Sequence, residues 1–489
     1  MSSSPKVLQH LQSWKFTLSV FLKICLVLPT FLLLIFFFHK VHLYNRTPQF
    51  NFNHYIQHYT TTTAPAVDDR EPTNISHILF GLAGSVKTWP KRRPYVELYW
   101  QPTVTRGFVW MDQKPPENET WPQTSPPYKV SANTSSFNYT CWYGDRSAVR
   151  LTRILKESFE LGLKNVRWFV MGDDDTLFFP ENLVTVLAKY DHNDLYYIGA
   201  DSESVEQDVI FSYKTAFGGG GYAISYPLAE ELVKILDGCV NRYAQLYGGD
   251  QKIQACVSEI GVQTTKERGF HQVDIRGSLY GLLASHPVAP LVSLHHVETV
   301  DQLFPSSTRV DSYKKLVEAY KMDPGRILQQ SICHDLQRNW SISVSWGYSV
   351  QLYPSLLTAK ELEIALGTFQ TWKSWSDEPF VFNIRSVSDP CGRPVVYFLD
   401  RVESVGRGET RSTYMRYGDV LEKKCNGDNY TATMRVDLVN VTAPRLSRDL
   451  WNKAPRRQCC EVMNDSNGME STVVIKVRGC HRFESVTPP

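Results

Sequence analysis

The chain lacks any strong charge bias: 52 Lys and Arg stand against 50 Asp and Glu, a formal net charge of +2 over 489 residues. Nothing in that balance points to nucleic acid as a partner. Several phosphate and cation signatures are missing too. The four glycines Gly218 to Gly221 are not followed by Lys-Ser/Thr, which rules out a P-loop. The second residue after Asp175 is Leu177, where a haloacid-type phosphatase motif requires Thr. An EF-hand loop would need a Gly and a closing Glu at fixed offsets from the acids, and neither is there. Phe36-Phe-Phe-His-Lys-Val-His-Leu43 offers no small-residue cleavage site, which argues against a removed signal peptide.

What is present begins with an apolar stretch, Phe16 to Phe38, interrupted only by Lys23 and Pro29. Its length matches the roughly 20 residues of a spanning helix. Residues 1–15 then read as a cytosolic tail and 16–38 as an uncleaved signal anchor. Flanking charge is nearly a tie between Lys6 and Lys15 before the span and Lys40 and Arg46 after it. Sequons decide the orientation. Acceptor triplets begin at Asn45, Asn74, Asn118, Asn133, Asn138, Asn339, Asn429, Asn440 and Asn464, all beyond the span. Nine of ten cysteines also follow it, where disulfides form, and the odd count leaves at least one unpaired within the chain. The expected topology is a type II membrane protein of the secretory pathway. Residues 39–75, with Thr60-Thr-Thr-Thr-Ala-Pro65, read as an extended stem.

Order begins at the apolar strand Ser76 to Ala83. Lys87 to Trp100 alternates basic and aromatic residues, Gly107 to Asp112 is a second strand, and Pro115 to Ser136 reads as a surface loop. Arg146 to Lys164 has the one-sided apolar spacing of a helix, and strands and helices of similar length alternate after it. That alternation predicts a mostly parallel sheet covered on both faces. Past residue 300 the pattern changes. Residues 301–345 read as a helical connector, and 346–489 as a β-rich, disulfide-tied module without a catalytic constellation.

The stretch that organises the chain is Trp168-Phe-Val-Met-Gly-Asp-Asp-Asp-Thr-Leu-Phe-Phe-Pro180. A buried strand runs into Asp173, Asp174 and Asp175, and ligands of open α/β sheets bind outside the carboxyl ends of strands. Three adjacent carboxylates repel unless a cation or hydrogen-bond donors neutralise them. The bland reading is a solvated acidic turn capping the next helix. The glycine run invites close backbone approach to a ligand, with a hinge as the plainer alternative, and Gly219 and Gly220 are candidate ligand contacts. Asp250 opens an apolar-faced helix, as a catalytic acid or an N-cap would. His295 and His296 close a strand read over Pro287 to His296, where alternation lets only one face the acids.

Taken in order, Trp168 to Asp175, Phe217-Gly-Gly-Gly-Gly-Tyr-Ala-Ile-Ser225, Gly249-Asp250-x-x-Ile253 and Ser293-Leu-His-His-Val-Glu298 resemble the fringe-type β-1,3-glycosyltransferases of glycosyltransferase family 31. The wording of Gly269-Phe-His-Gln-Val-Asp-Ile-Arg-Gly277 and Ala284-Ser-His-Pro287 is similar to the fringe-related plant family long described as a domain of unknown function. The resemblance covers roughly residues 76 to 305. It implies a GT-A fold over 76–300, a UDP-sugar donor, a glycan or glycoprotein acceptor, manganese or another divalent cation, and inversion at the anomeric carbon. It also implies a Golgi address. Residue by residue, it makes Asp175 a metal ligand, Asp173 the completion of the D-x-D pattern, and Asp174 a contact to the donor's ribose or sugar. Asp250 takes the place of the general base, His296 that of a second metal ligand, and Arg92 or Arg93 that of a basic donor contact. Fringes carry a second acid just before the base, and here that place is Gly249. The rival expectation is a catalytically inactive fringe-like sugar-binding or scaffold protein of the membrane. A second copy of the chain, forming a homodimer, is a further expected partner.

Overall fold

The computed structural model describes residues 71–118, 120–372, 383–387, 389–417, 425, 427–463 and 471–487. Contacts divide the chain between Ala66 and Val67, and all described residues belong to the second unit. The expected cytosolic tail and signal anchor, the stem up to residue 70, and the sequons at Asn45 and Asn464 lie outside the described residues. Among the described residues, no helix is long and apolar enough to cross a membrane.

The fold is mixed α/β, built on two sheets. The first has seven strands: β1 (Ile78–Ala83), β2 (Arg106–Met111), β3 (Tyr128–Val130), β4 (Trp168–Asp173), β5 (Tyr197–Gly199), β6 (Tyr222–Ser225) and β7 (Thr264–Lys266). Their spatial order is β3-β2-β1-β4-β6-β5-β7. β6 runs antiparallel to both β4 and β5, while the other pairings are parallel. β3 lies inside the segment expected as a surface loop.

Both faces of this sheet are buried, which explains why its central strands are apolar throughout rather than alternating. Ile78, Phe80, Leu82, Trp168 and Val170 point into one core, and Leu79, Phe169 and Met171 into the other. Helices supply apolar side chains to the second face, notably Val149, Ile154 and Leu155 from α2. The helices include, in chain order, α1 (Trp89–Glu97), α2 (Ser147–Glu160), α3 (Pro180–Leu187), α4 (Val205–Phe211), α5 (Tyr226–Arg242), α6 (Gly249–Ile260) and α7 (Arg309–Met322); others span Tyr280–Ala284, Ala359–Leu362 and Asp428–Met434. The Cys239–Cys256 disulfide ties α5 to α6.

The second sheet has eight strands, from Gln330–Asp335 to Thr472–Arg478, and its Tyr397, Val439 and Ile475 join the first core. Residues 301–345, expected as a helical connector, contain α7 and the first two strands of this sheet. Disulfides Cys333–Cys460, Cys391–Cys425 and Cys459–Cys480 lie in this half. Cys141 is buried and free, consistent with the odd count.

Candidate functional site

A small three-stranded sheet assembles the site. Ser293–Leu294 pairs antiparallel with Leu177–Phe178 and parallel with Phe270–His271. One of these strands follows the acidic turn, one precedes His295, and one precedes Gln272. Pairing them delivers three distant segments to the end of β4.

The turn is fixed by its own backbone. The Asp174 amide donates to the Ala83 carbonyl (3.0 Å), and the Asp173 amide to Thr176 Oγ1 (2.9 Å). Thr176 Oγ1 in turn donates to the Gly219 carbonyl (2.7 Å). From α1, Arg92 reaches Asp174 (2.8 Å), Asp175 (3.1 Å) and Glu298 (2.5 Å). Its neighbour Arg93 instead faces Glu97 at 3.7 Å, so the structure brings Arg92 to the acids and leaves Arg93 aside. Asp174, expected against a donor sugar, accepts from Arg92 and from Thr88 Oγ1 (2.8 Å), which ties the turn to α1.

The imidazole that meets the carboxylates is His295, not His296. His295 Nε2 lies 3.2 Å from Asp175 and 3.6 Å from Asp173, and these three side chains form a group able to hold a cation. His295 Nδ1 is 3.1 Å from the Gln272 carbonyl, a bond that turns Nε2 towards the acids. The strand ends at Leu294, so alternation no longer applies. His296 sits at φ 54° and stacks between His295 (3.9 Å) and Trp372 (4.4 Å). Its Nδ1 contacts the Val273 carbonyl at 3.0 Å.

Electrostatics follow from burial and these pairings. Burial by itself would raise the Asp175 carboxyl, yet His295 and Arg92 hold it well below the usual range. Burial would lower His295, but Asp175 and Asp173 push it up to about 9. Burial, then the charge on His295, pulls His296 down to about 3. Burial pushes Asp174 up to about 7, against the pull of Arg92. Asp175 is 1% exposed, and the donors beside its oxygens, Arg92 Nη2 at 3.1 Å and His295 Nε2 at 3.2 Å, are close as ion pairs without being well aligned as hydrogen bonds. Buried carboxylate oxygens that lack a well-aligned hydrogen bond, beside an imidazole nitrogen, are a fitting set for a divalent cation.

Asp250 lines a cavity of about 330 Å³, whose wall also includes Asp173, Gly218, Gly219, Tyr247 and Trp372. It is not an N-cap, because Gly248 holds that position. Its carboxylate accepts from the Gln251 amide (2.8 Å) and the Gly218 amide (3.3 Å), and burial raises its pKa. The glycine loop makes its close approaches to protein. A Cβ at Gly219 would run into the His295 ring, and the Gly220 amide is occupied by Gln272 Oε1 (2.5 Å). Of the two expected ligand contacts, Gly219 lines the cavity and Gly220 does not.

Sequence reasoning missed the layer behind the histidines. Gln272 and Val273 supply the carbonyls that orient His295 and His296. Glu203 holds that segment, bonding the Val273 amide (2.7 Å) and His271 Nδ1 (2.8 Å). The signal available was the Gly269–Gly277 wording itself, which places these residues in one short run. Of the described sequons, Asn118, Asn133, Asn138, Asn339 and Asn429 are exposed, while Asn74 and Asn440 are half-buried.

A family model described as "Protein of unknown function, DUF604" matches residues 207–460. The chain belongs to the DUF604 family. The match takes in the glycine loop, Asp250 and both histidines, and begins beyond the acidic triplet. No curated protein matches this DUF604 chain. Among solved structures 41 chains match. One is described as the crystal structure of a glycosyltransferase involved in the glycosylation of the major capsid of PBCV-1. It is 14% identical, with a TM-score of 0.28, over 49% of this chain and 98% of that chain.

Proposed function

We propose that this DUF604 chain is an inverting, metal-dependent glycosyltransferase that moves a sugar from a UDP-sugar to a hydroxyl of a glycan or glycoconjugate in a β-1,3 manner. One observation carries the reading: Asp173, a member of the Asp173–Asp175–His295 group, and Asp250, a half-buried carboxylate outside that group, line a single cavity. Single displacement needs those two functions apart: positive charge on the leaving diphosphate, and a base on the opposite face of the sugar. Asp173, Asp175 and His295 would hold Mn²⁺ or another divalent cation, which supplies charge stabilisation to the departing nucleotide. Asp250 takes the proton of the acceptor hydroxyl as its oxygen bonds to the anomeric carbon and the sugar–phosphate bond breaks. Burial favours that role by raising its proton affinity. With the span at residues 16–38 and the sequons beyond it, the enzyme is a type II Golgi membrane protein, its catalytic body lumenal.

A specific observation favours a second reading. Arg92 alone bridges Asp174, Asp175 and Glu298, so the acids are partly neutralised without a metal. A fringe-like protein that binds a sugar nucleotide without turnover would have the same contacts. A donor-hydrolysis and transfer screen of the full chain, with Mn²⁺ or with chelator, separates them. Metal-dependent turnover that is lost in Asp250→Asn supports the enzyme; UDP binding with no turnover on any acceptor supports the binder. Turnover that survives both chelation and Asp175→Ala would remove the metal from the proposal.

A further inference from the structure

We infer that the loop carrying Trp142 and Tyr143 is an oligosaccharide platform that receives the acceptor chain beyond the sugar being modified. The inference rests on the transferase reading and adds to it the class of acceptor. Tyr247 forms part of the cavity wall beside Asp250. Two ring-to-ring steps lead outward from it: Tyr143 stacks on Tyr247 at 5.7 Å and 13°, and Trp142 meets Tyr143 edge-on at 5.2 Å. Inward, Tyr247 meets Phe211, and Phe211 meets Phe217, both on the cavity wall. The aromatic series is therefore continuous from the proposed base to the surface.

Exposure increases along it. Tyr247 is 38% exposed, Tyr143 60% and Trp142 90%. Neighbouring large aromatics left in water at the mouth of a cavity mark a binding surface. The loop is held rather than left to drift: the Tyr139 hydroxyl donates to the Tyr247 carbonyl (2.9 Å), the Thr140 amide to the Ala244 carbonyl (2.9 Å), and the Asn138 amide to Asn241 Oδ1 (2.8 Å). Pre-organised rings cost little entropy on binding. Flat aromatic faces with free edges suit the C–H faces of pyranose rings. Continuity with the Asp250 cavity makes the occupant the acceptor glycan rather than the nucleotide, whose proposed contacts lie on the acidic side.

The sequon at Asn138 offers a competing source of the same chemistry, since a glycan there could lie on the patch. The test measures binding of three β-linked tetrasaccharides (cellotetraose, xylotetraose and galactotetraose) to the full chain by ligand-observed NMR, with Mn²⁺–UDP titrated in parallel. The expected result is tetrasaccharide binding that weakens about tenfold in Trp142→Ala and in Tyr143→Ala, the loss typical of an aromatic anchor. Asn138→Gln should bind as the unaltered chain does. Absence of binding by all three sugars, or equal binding in both aromatic variants, overturns the platform. Binding that emerges only in Asn138→Gln also overturns it, assigning the patch to the chain's own glycan. Mn²⁺–UDP binding without sugar binding sinks this inference and leaves the transferase reading standing. Sugar binding without Mn²⁺–UDP binding sinks the transferase reading and leaves a lectin-like patch.

Discussion

Replacing His295 by Ala should expose how the metal-free site is balanced. The ring is 6% exposed and faces Asp175 at 3.2 Å and Asp173 at 3.6 Å, which push its pKa to about 9. The folded value lies above the unfolded value of about 6.5, so the proton stabilises the fold fully below about pH 6.5. That contribution disappears as pH rises through about 9. Two-state linkage makes it about 2.5 kcal/mol at pH 7 and only about 0.2 kcal/mol at pH 9.5. The assay is urea denaturation of the full chain in mild detergent at those two pH values, without metal. His295→Ala should lose about 2 kcal/mol more at the lower pH than at the higher, on top of a pH-independent packing loss. His296, pulled down to about 3, is neutral at both values, so His296→Ala should lose the same amount at each. Added Mn²⁺ should stabilise the unaltered chain and His296→Ala, and do little for His295→Ala. A loss in His295→Ala that does not vary with pH, or a pH-dependent loss in His296→Ala instead, would refute the assignment.

Three further outcomes are expected. Gly219→Ala drives a methyl into the His295 ring and should weaken Mn²⁺ binding by at least about tenfold in calorimetry, as mispositioned ligands do. Asp250→Asn should keep Mn²⁺–UDP binding while transfer falls by about a hundredfold or more, the usual contribution of a general base, in a radiolabelled-donor assay. Glycosidase treatment should shift the mass of the secretory-pathway product, and Asn118→Gln, Asn133→Gln and Asn429→Gln should each remove one glycan, because all three side chains are exposed.

Much of this was legible because it is local. β4 and its acids declare themselves as an apolar run ended by three carboxylates, and the helices after Arg146, Pro180 and Tyr226 follow from apolar spacing and proline. The resemblance puts His296 in the ligand position, whereas the ring beside the acids is His295, and alternation, which presumes an extended chain, does not choose between them. Here only Ser293 and Leu294 pair, and the backbone turns at His296, so both rings stack on the same side. Arg92 could be marked as basic and near the site, but not as the bridge to three acids, since Glu298 and the triplet are far from it in sequence. The glycines show a similar limit. Sequence can say that no side chain fits, but not whether a ligand or a histidine ring fills the space.

The layer behind the site explains why a strained backbone persists there. Val273 is β-branched and sits at φ 58°, a conformation that costs such residues about 1–3 kcal/mol. Its amide is bonded to Glu203 and its carbonyl to His296, so relaxing the residue would break both contacts. It would also displace the Gln272 carbonyl that aims His295. Glu203 is anchored in turn by His271, which meets the buried His286 at 3.0 Å, and His286 contacts the Pro287 carbonyl at 2.8 Å. Burial holds His286 well below its ordinary pKa, so this relay stays neutral at that end and adds no charge to the acids it supports. The two segments Gly269–Gly277 and Ala284–Pro287 thus act on the site through each other, by way of His271 and His286.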